Sequence, residues 1–178
     1  MLFLVATPIG NLADISFRAI EVLTSCDLIL CEDTRHSIKL LNHYQIKKPL
    51  LSYHKFNEVA SIDKIISKLK DSANIALISD AGTPLIADPG YKLVEKCIEE
   101  GIAITAIPGA CSTIDALLLS GLNVERFQFA GFLPRQQKEL KKLLQEFASY
   151  PGTTINYESP ERILKTVETL KAYFPISK

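Results

Sequence analysis

The chain has 178 residues, 47% of them hydrophobic and 22% charged, with twenty Lys plus Arg against twenty Asp plus Glu. A compact fold of this length buries roughly 70% of its unfolded surface, enough for a core without disulfides or metal. The balanced charge excludes the broad basic face of a protein that grips bare nucleic acid through phosphates, although it leaves room for a local basic patch.

The opening run "MLFLVATPIG" lacks a basic start and is too short for a signal or a membrane span, so it reads as a first strand. Further continuous apolar runs follow at Leu28 to Cys31, Leu50 to Tyr53, Ile75 to Ile78 and Ile102 to Ile107. Unbroken runs of this kind suit strands covered on both faces. Helical periodicity fills the gaps at Ile15 to Ser25, Ser37 to Tyr44, Glu58 to Lys70 and Tyr91 to Glu100, and Gly101 sits where a helix C-terminal glycine belongs. This alternation predicts an open, mostly parallel α/β sheet, because parallel neighbours need crossover helices. Cys26, Cys31, Cys97 and Cys111 form no C-x-x-C pair and have no His at ligand spacing, which reads as reduced thiols in a cytoplasmic protein with no metal site.

After an apolar helix at Ile114 to Leu119 the character changes at "SGLNVERF". A strand at Phe127 to Phe132, a charged amphipathic helix at Gln136 to Phe147, a strand at Thr153 to Tyr157 and a helix at Glu161 to Tyr173 follow. The expected division is an N-terminal α/β domain over 1–121 and a second, smaller α/β domain over 122–178. So short a second part is marginal on burial alone, so it is expected to be incomplete or completed by another subunit.

Proline and glycine gather just after the expected strands, in "TPIG", "DAGTP", "IPGA" and "GFLP". In a parallel sheet such loops share one rim, where ligands bind. The densest is "SDAGTPLIADPG", Ser79 to Gly90. It has no Lys or Arg, and neither the P-loop pattern nor G-x-G-x-x-G occurs in the chain. Asp80 and Asp88 would repel phosphate but suit ribose hydroxyls or a cationic group. Asp88 also fits as the cap of a helix with Pro89 at its first position.

Together "VATPIGNLADIS", "CEDTR", "SDAGTPLIADPGY", "IPGACS", "GFLP" and "NYESPER" resemble, in order and spacing over essentially the whole chain, the tetrapyrrole methylase superfamily. Within it they are closest to the branch acting on the ribose of a cytidine in 16S ribosomal RNA. The resemblance implies S-adenosylmethionine as cofactor, held in a cleft between two α/β domains. It carries cofactor contacts onto Pro8, Ser79, Asp80, Ala81, Gly82, Thr83, Cys111, Ser112 and, in the second domain, Glu158. It further implies the small ribosomal subunit as partner, no membrane, a homodimer, and roughly another hundred residues beyond this chain. The chain departs from that branch at Phe56, Ala110 and Glu161-Arg162.

The reaction so implied is in-line transfer of a methyl group from sulfonium to a ribose 2′-oxygen, a weak nucleophile that a base or a polarising cation would assist. Rim-loop candidates are Asp33 and Arg35, His54 and Glu58, and Arg162; Arg35 and Glu58 are the preferred pair. In "PRQQKELKKLLQEF", Arg135, Lys138, Lys141 and Lys142 read as a solvated helix face, with an RNA-backbone contact as the sharper alternative. Two other functions fit the same residues: methylation of a tetrapyrrole or other small molecule, and a non-catalytic ligand-binding module.

Overall fold

The computed structural model describes residues 1–174. It separates into two compact units, Met1–Ser112 and a second beginning at Thr113. This division assigns the helix after Ser112 to the second unit, ahead of the boundary expected at Gly121.

The first unit alternates strands and helices as β1 (Leu2–Val5), α1 (Phe17–Ser25), β2 (Leu28–Cys31), α2 (Thr34–His43), β3 (Leu50–Ser52), α3 (Glu58–Lys70), β4 (Ile75–Leu77), α4 (Tyr91–Glu99) and β5 (Ile104–Ile107). The five strands form one sheet in the order β3-β2-β4-β1-β5, and every pairing is parallel. The continuous apolar runs are explained by this arrangement. On one face Val5, Ile29, Cys31, Ala76 and Ile78 pack with Ala19 and Leu23 of α1 and Leu41 of α2. On the other, Leu2, Leu30, Ile75 and Leu77 pack with Ile65 and Leu69 of α3 and Leu93 and Cys97 of α4. Each fully buried Leu or Ile contributes roughly 1.5–3 kcal/mol.

The distribution of helices follows from the handedness of crossovers. From β1 through β2 to β3 the chain steps along the sheet in one direction, and from β3 through β4 to β5 it steps in the other. Right-handed connections therefore send α1 and α2 to one face and α3 and α4 to the opposite one. As a result β4 lies between two strands, β2 and β1, whose chains leave toward the other face. The loop after β4 thus sits at the topological switch, where open α/β sheets bind ligands.

Local signals set most helix ends. Ser16 accepts a hydrogen bond from the Ala19 N–H and starts α1, and Gly101 takes φ +64° just past α4. Several starts differ from the sequence reading. α2 begins at Thr34, three residues early, because the Asp33 side chain caps it by accepting from the Arg35 N–H. α7 (Ile163–Tyr173) begins after Arg162 rather than at Glu161. α4, by contrast, starts at Tyr91 as read, behind Gly90, but without the side-chain cap expected for it. Asp88 is therefore not its N-cap and Pro89 is not its first residue, because Gly90, at φ +130°, turns the chain between them and the helix.

The second unit contains α5 (Ser112–Ser120), β6 (Phe127–Phe132), α6 (Gln137–Ser149), β7 (Thr153–Tyr157) and α7. β6 and β7 pair in parallel with a register shift between Phe129 and Phe132, where Gly131 takes φ +66°. Leu133, Leu140 and Leu144 form its small core with Phe147 and Leu170. Among the described residues no helix is long and apolar enough to cross a membrane.

Candidate functional site

Four loops at the C-terminal ends of the parallel strands are laced to one another. The loop after β1 meets the loop after β4 through Thr7 and Gly82, which exchange backbone hydrogen bonds of 2.9 and 3.0 Å. The buried Thr7 hydroxyl also donates to the Ser79 carbonyl at 3.3 Å. The loop after β2 joins through the Asp33 N–H, which donates to Asp80 Oδ1 at 3.2 Å. The loop after β5 joins through Thr83 Oγ1, which donates to the Ala110 carbonyl at 3.0 Å. Glycines permit this closeness. A Cβ on Gly109 would stand 3.0 Å from the Ala6 Cβ, and one on Gly82 would stand 3.2 Å from Ile9 Cγ2.

The central loop is wound tightly. Gly82, Leu85, Ala87 and Gly90 all have positive φ, of 85°, 73°, 67° and 130°. Left-handed conformations at Leu85 and Ala87 are costly for residues with a Cβ, and such strain collects at ligand sites. The Ser79 hydroxyl donates to the Gly82 carbonyl at 3.1 Å, inside the turn.

Beside this loop the rim is acidic. Burial raises the Asp88 carboxyl to about 6, helped by the negative charges of Glu32 and Asp80 and opposed by a hydrogen bond from Ser79. Burial also raises Glu32, with Asp80 adding to the shift and His54 opposing it. A cavity of about 250 Å³ opens here, lined by Glu32, Glu58, Asp88, Lys55, Tyr91 and Lys92. No group of three or more His, Cys, Asp or Glu among the described residues is placed to hold a metal ion.

Of the preferred catalytic pair, Glu58 lies in this cavity and Arg35 is not among the lining residues. Glu58 is 8% exposed at the start of α3, with one carboxylate oxygen 3.4 Å from Lys92 Nζ. Near it, Tyr53 is fully buried with no hydrogen-bond partner for its hydroxyl among the described residues, and burial followed by the Glu58 charge drives that phenol well above its ordinary value. The Arg35 side chain is 89% exposed and grips Asp33 through two side-chain hydrogen bonds, which hold the Asp33 carboxyl down at about 2. His54 is tied into its own turn, its N–H donating to Asn57 Oδ1 at 2.8 Å and its Nδ1 accepting from the Phe56 N–H at 3.3 Å. Phe56 is 96% exposed, its ring edge-on to that of His54 with centroids 6.0 Å apart.

Among the expected cofactor positions, the structure brings Ser79, Asp80, Gly82 and Thr83 into the laced loops. Pro8 is buried beside Thr7, and Cys111 is a half-buried free thiol just after Ala110. Ser112 opens α5. In the second unit, burial would raise the Glu158 carboxyl, but hydrogen bonds from Thr166 and the Ser159 N–H, with Arg162 at 3.2 Å, bring it below its ordinary value. Glu32, Tyr53 and Lys92 were not singled out from the sequence. Glu32 sits inside the quoted "CEDTR", and Tyr53 ends an otherwise apolar strand run, which is the one signal that marked it.

A parallel α/β sheet with interlocked loops at its switch point places the chain among open α/β proteins, whose ligands generally bind at that rim. The chain belongs to the Tetrapyrrole (Corrin/Porphyrin) Methylases, whose family model matches residues 1–177. It is 52% identical over 172 residues to the ribosomal RNA small subunit methyltransferase I of Haemophilus influenzae, covering 97% of this chain and 61% of that protein. To the protein of the same name from Halalkalibacterium halodurans it is 50% identical over 169 residues, covering 95% of this chain and 58% of that one. The chain thus spans about three fifths of the length of these curated relatives. A diphthine synthase crystal structure matches with a TM-score of 0.71 and 19% identity, covering 97% of this chain and 70% of that one, and speaks for the fold alone.

Proposed function

We propose that this chain is the part of an S-adenosylmethionine-dependent methyltransferase that builds the rim loops, and that its substrate is the 2′-hydroxyl of a cytidine in 16S RNA of the small ribosomal subunit. One observation carries the reading: the loop at the topological switch is tied by hydrogen bonds to three neighbouring loops, and its charged side chains, Asp80 and Asp88, are both carboxylates. The donor set fits the cofactor. A ligand with a sulfonium, an ammonium and ribose hydroxyls, and with no phosphate, matches carboxylates and main-chain groups with no basic side chain in the loop.

Pro8, Ser79, Asp80, Ala81, Gly82, Thr83, Cys111 and Ser112 are the positions proposed to hold it. Glu158 of the second unit is a further proposed position, its carboxylate engaged by Ser159, Thr166 and Arg162. The bound cofactor supplies an electrophilic methyl group. The chain's part is to fix the ligand's orientation, exclude water with the tight loop, and assist the hydroxyl. Glu58 is proposed to accept the 2′-hydroxyl proton at a carboxylate oxygen, and Arg35 to polarise the ribose 2′-oxygen. The likeness to ribosomal RNA small subunit methyltransferases supports the RNA substrate, and the family supports the methyl transfer.

Titration calorimetry with S-adenosylmethionine, followed by labelled-methyl transfer to small ribosomal subunits lacking the modification, tests this. Binding without transfer would leave a ligand-binding module. Absence of binding by the folded chain would remove the enzyme reading for this length of protein.

A further inference from the structure

We propose that the cavity between the N-terminal ends of α6 and α7 in the second unit binds a phosphodiester of single-stranded RNA, a reading that rests on the RNA substrate proposed above. The cavity measures about 240 Å³ and is lined by Arg135, Gln137, Arg162, Lys165, Thr166 and Thr169. Every charged group in that lining is a cation. The nearby Glu158 is already engaged: its side chain is 5% exposed, it accepts from Thr166 Oγ1 at 2.7 Å and from the Ser159 N–H at 2.8 Å, and Arg162 lies 3.2 Å away. The second Arg162 bond goes to the Leu133 carbonyl at 3.2 Å, which fixes the guanidinium in the wall.

Arg135 and Lys165 are different. Both are exposed, and among the described residues neither has a carboxylate within ion-pair distance. Arg135 feels Glu158 only as a more distant charge. Two cations are thus left uncompensated around a concavity. Both bordering helices also start without a side-chain cap, α6 behind Gln136 and α7 behind Arg162, so their first N–H groups and the positive ends of their dipoles add to the same field. This is the reverse of the rim in the first unit, where carboxylates gather and phosphate is disfavoured. A chain of zero net charge that acts on RNA needs such a local site to hold the backbone while another site meets the ribose.

The test compares the wild-type chain with the double variant Arg135→Gln/Lys165→Gln. Both positions are exposed, so the fold should tolerate the change, and a circular dichroism melt checks it. A labelled cytidine-containing RNA oligonucleotide is titrated by fluorescence anisotropy between about 50 and 200 mM salt, with inorganic phosphate alone as a parallel calorimetric probe. The expected result is RNA binding weakened about tenfold or more at low salt, a salt slope shallower by about one unit, and much weaker binding of free phosphate. RNA binding and slope identical in the two proteins would overturn the proposal, as would free phosphate binding as tightly as RNA. S-adenosylmethionine binding should be unchanged in the variant. Its loss would assign the cavity to the cofactor instead of RNA, whereas a wild-type chain that binds neither ligand defeats the underlying functional reading as well.

Discussion

Thr7 and Gly82 exchange both of their backbone hydrogen bonds, at 2.9 and 3.0 Å, and so clip the loop after β1 to the loop after β4. Gly82 does this with φ at +85°, and a Cβ there would come within 3.2 Å of Ile9 Cγ2. Gly82→Ala is therefore expected to cost about 1–2 kcal/mol of stability, the ordinary penalty of a left-handed conformation for a residue with a Cβ. The same change pushes the two loops apart, so S-adenosylmethionine affinity should fall more than global stability suggests. Urea denaturation and calorimetry on one preparation measure both. An unchanged affinity alongside the stability loss would detach the clip from ligand binding.

Tyr53→Phe should raise stability. The Tyr53 hydroxyl is fully buried and has no hydrogen-bond partner among the described residues, so the folded chain bears its desolvation without return. Removing such an atom at constant shape gains on the order of 1 kcal/mol. A thermal melt reads this as a higher Tm. A lower Tm would mean that the hydroxyl has a partner such as an ordered water.

How far the sequence could be read is clear from these residues. Strand positions were legible because a strand covered on both faces must be apolar throughout, as Leu2 to Val5 and Leu28 to Cys31 are. The rim loops were legible for the same reason, since proline and glycine punctuate the ends of such runs. Strand order was not, because the pairing of Leu2 with both Ile75 and Ile104 depends on crossovers that leave no local mark. Asp88 was misread because "DPG" before an amphipathic run looks like a cap with proline at the first helical position. The left-handed turn at Ala87 and Gly90 points the chain elsewhere. Pairing of Glu58 with Lys92 was hidden too, since it joins the starts of two helices that meet only after the sheet is assembled.

Arg35→Ala should leave stability almost untouched. Its side chain is 89% exposed and, among the described residues, its ion pair is with Asp33, a surface pair that solvent screens to little net worth. Methyl transfer to the ribosomal subunit should nevertheless fall about a hundredfold if the guanidinium polarises the reacting hydroxyl. Single-turnover kinetics beside a melt separate the two effects. Full activity in a stable variant would return Arg35 to the status of a surface ion pair.

Glu58→Gln asks the matching question of the base. The substitution keeps the size of a side chain that is 8% exposed and gives up the ion pair to Lys92 at 3.4 Å. Cofactor affinity should stay close to wild type, while kcat drops about a hundredfold or more, since the amide cannot take a proton. A small change in kcat would leave Glu58 as a holder of Lys92.

Asp88 supplies the pH dependence. Its carboxyl rises from an ordinary 3.8 to about 6, by burial first, then by Glu32 and Asp80. The same cavity also presents Glu58, Lys55 and Lys92. Between about pH 4 and 6 the unfolded chain has released this proton and the folded chain retains it, so stability falls as pH rises through that window. Asp88→Asn should therefore be neutral near pH 4 and increasingly stabilising up to pH 6 and beyond. The gain is on the order of 1 kcal/mol, discounted from the full shift because the group is only half-buried. A cationic ligand beside the ionised cluster offsets the same repulsion. S-adenosylmethionine should then bind more tightly at pH 7 than at pH 5 in the wild type, and with less pH dependence in Asp88→Asn. Stability curves and calorimetry across that range read both effects, and a flat affinity profile would place the cation away from Glu32, Asp80 and Asp88.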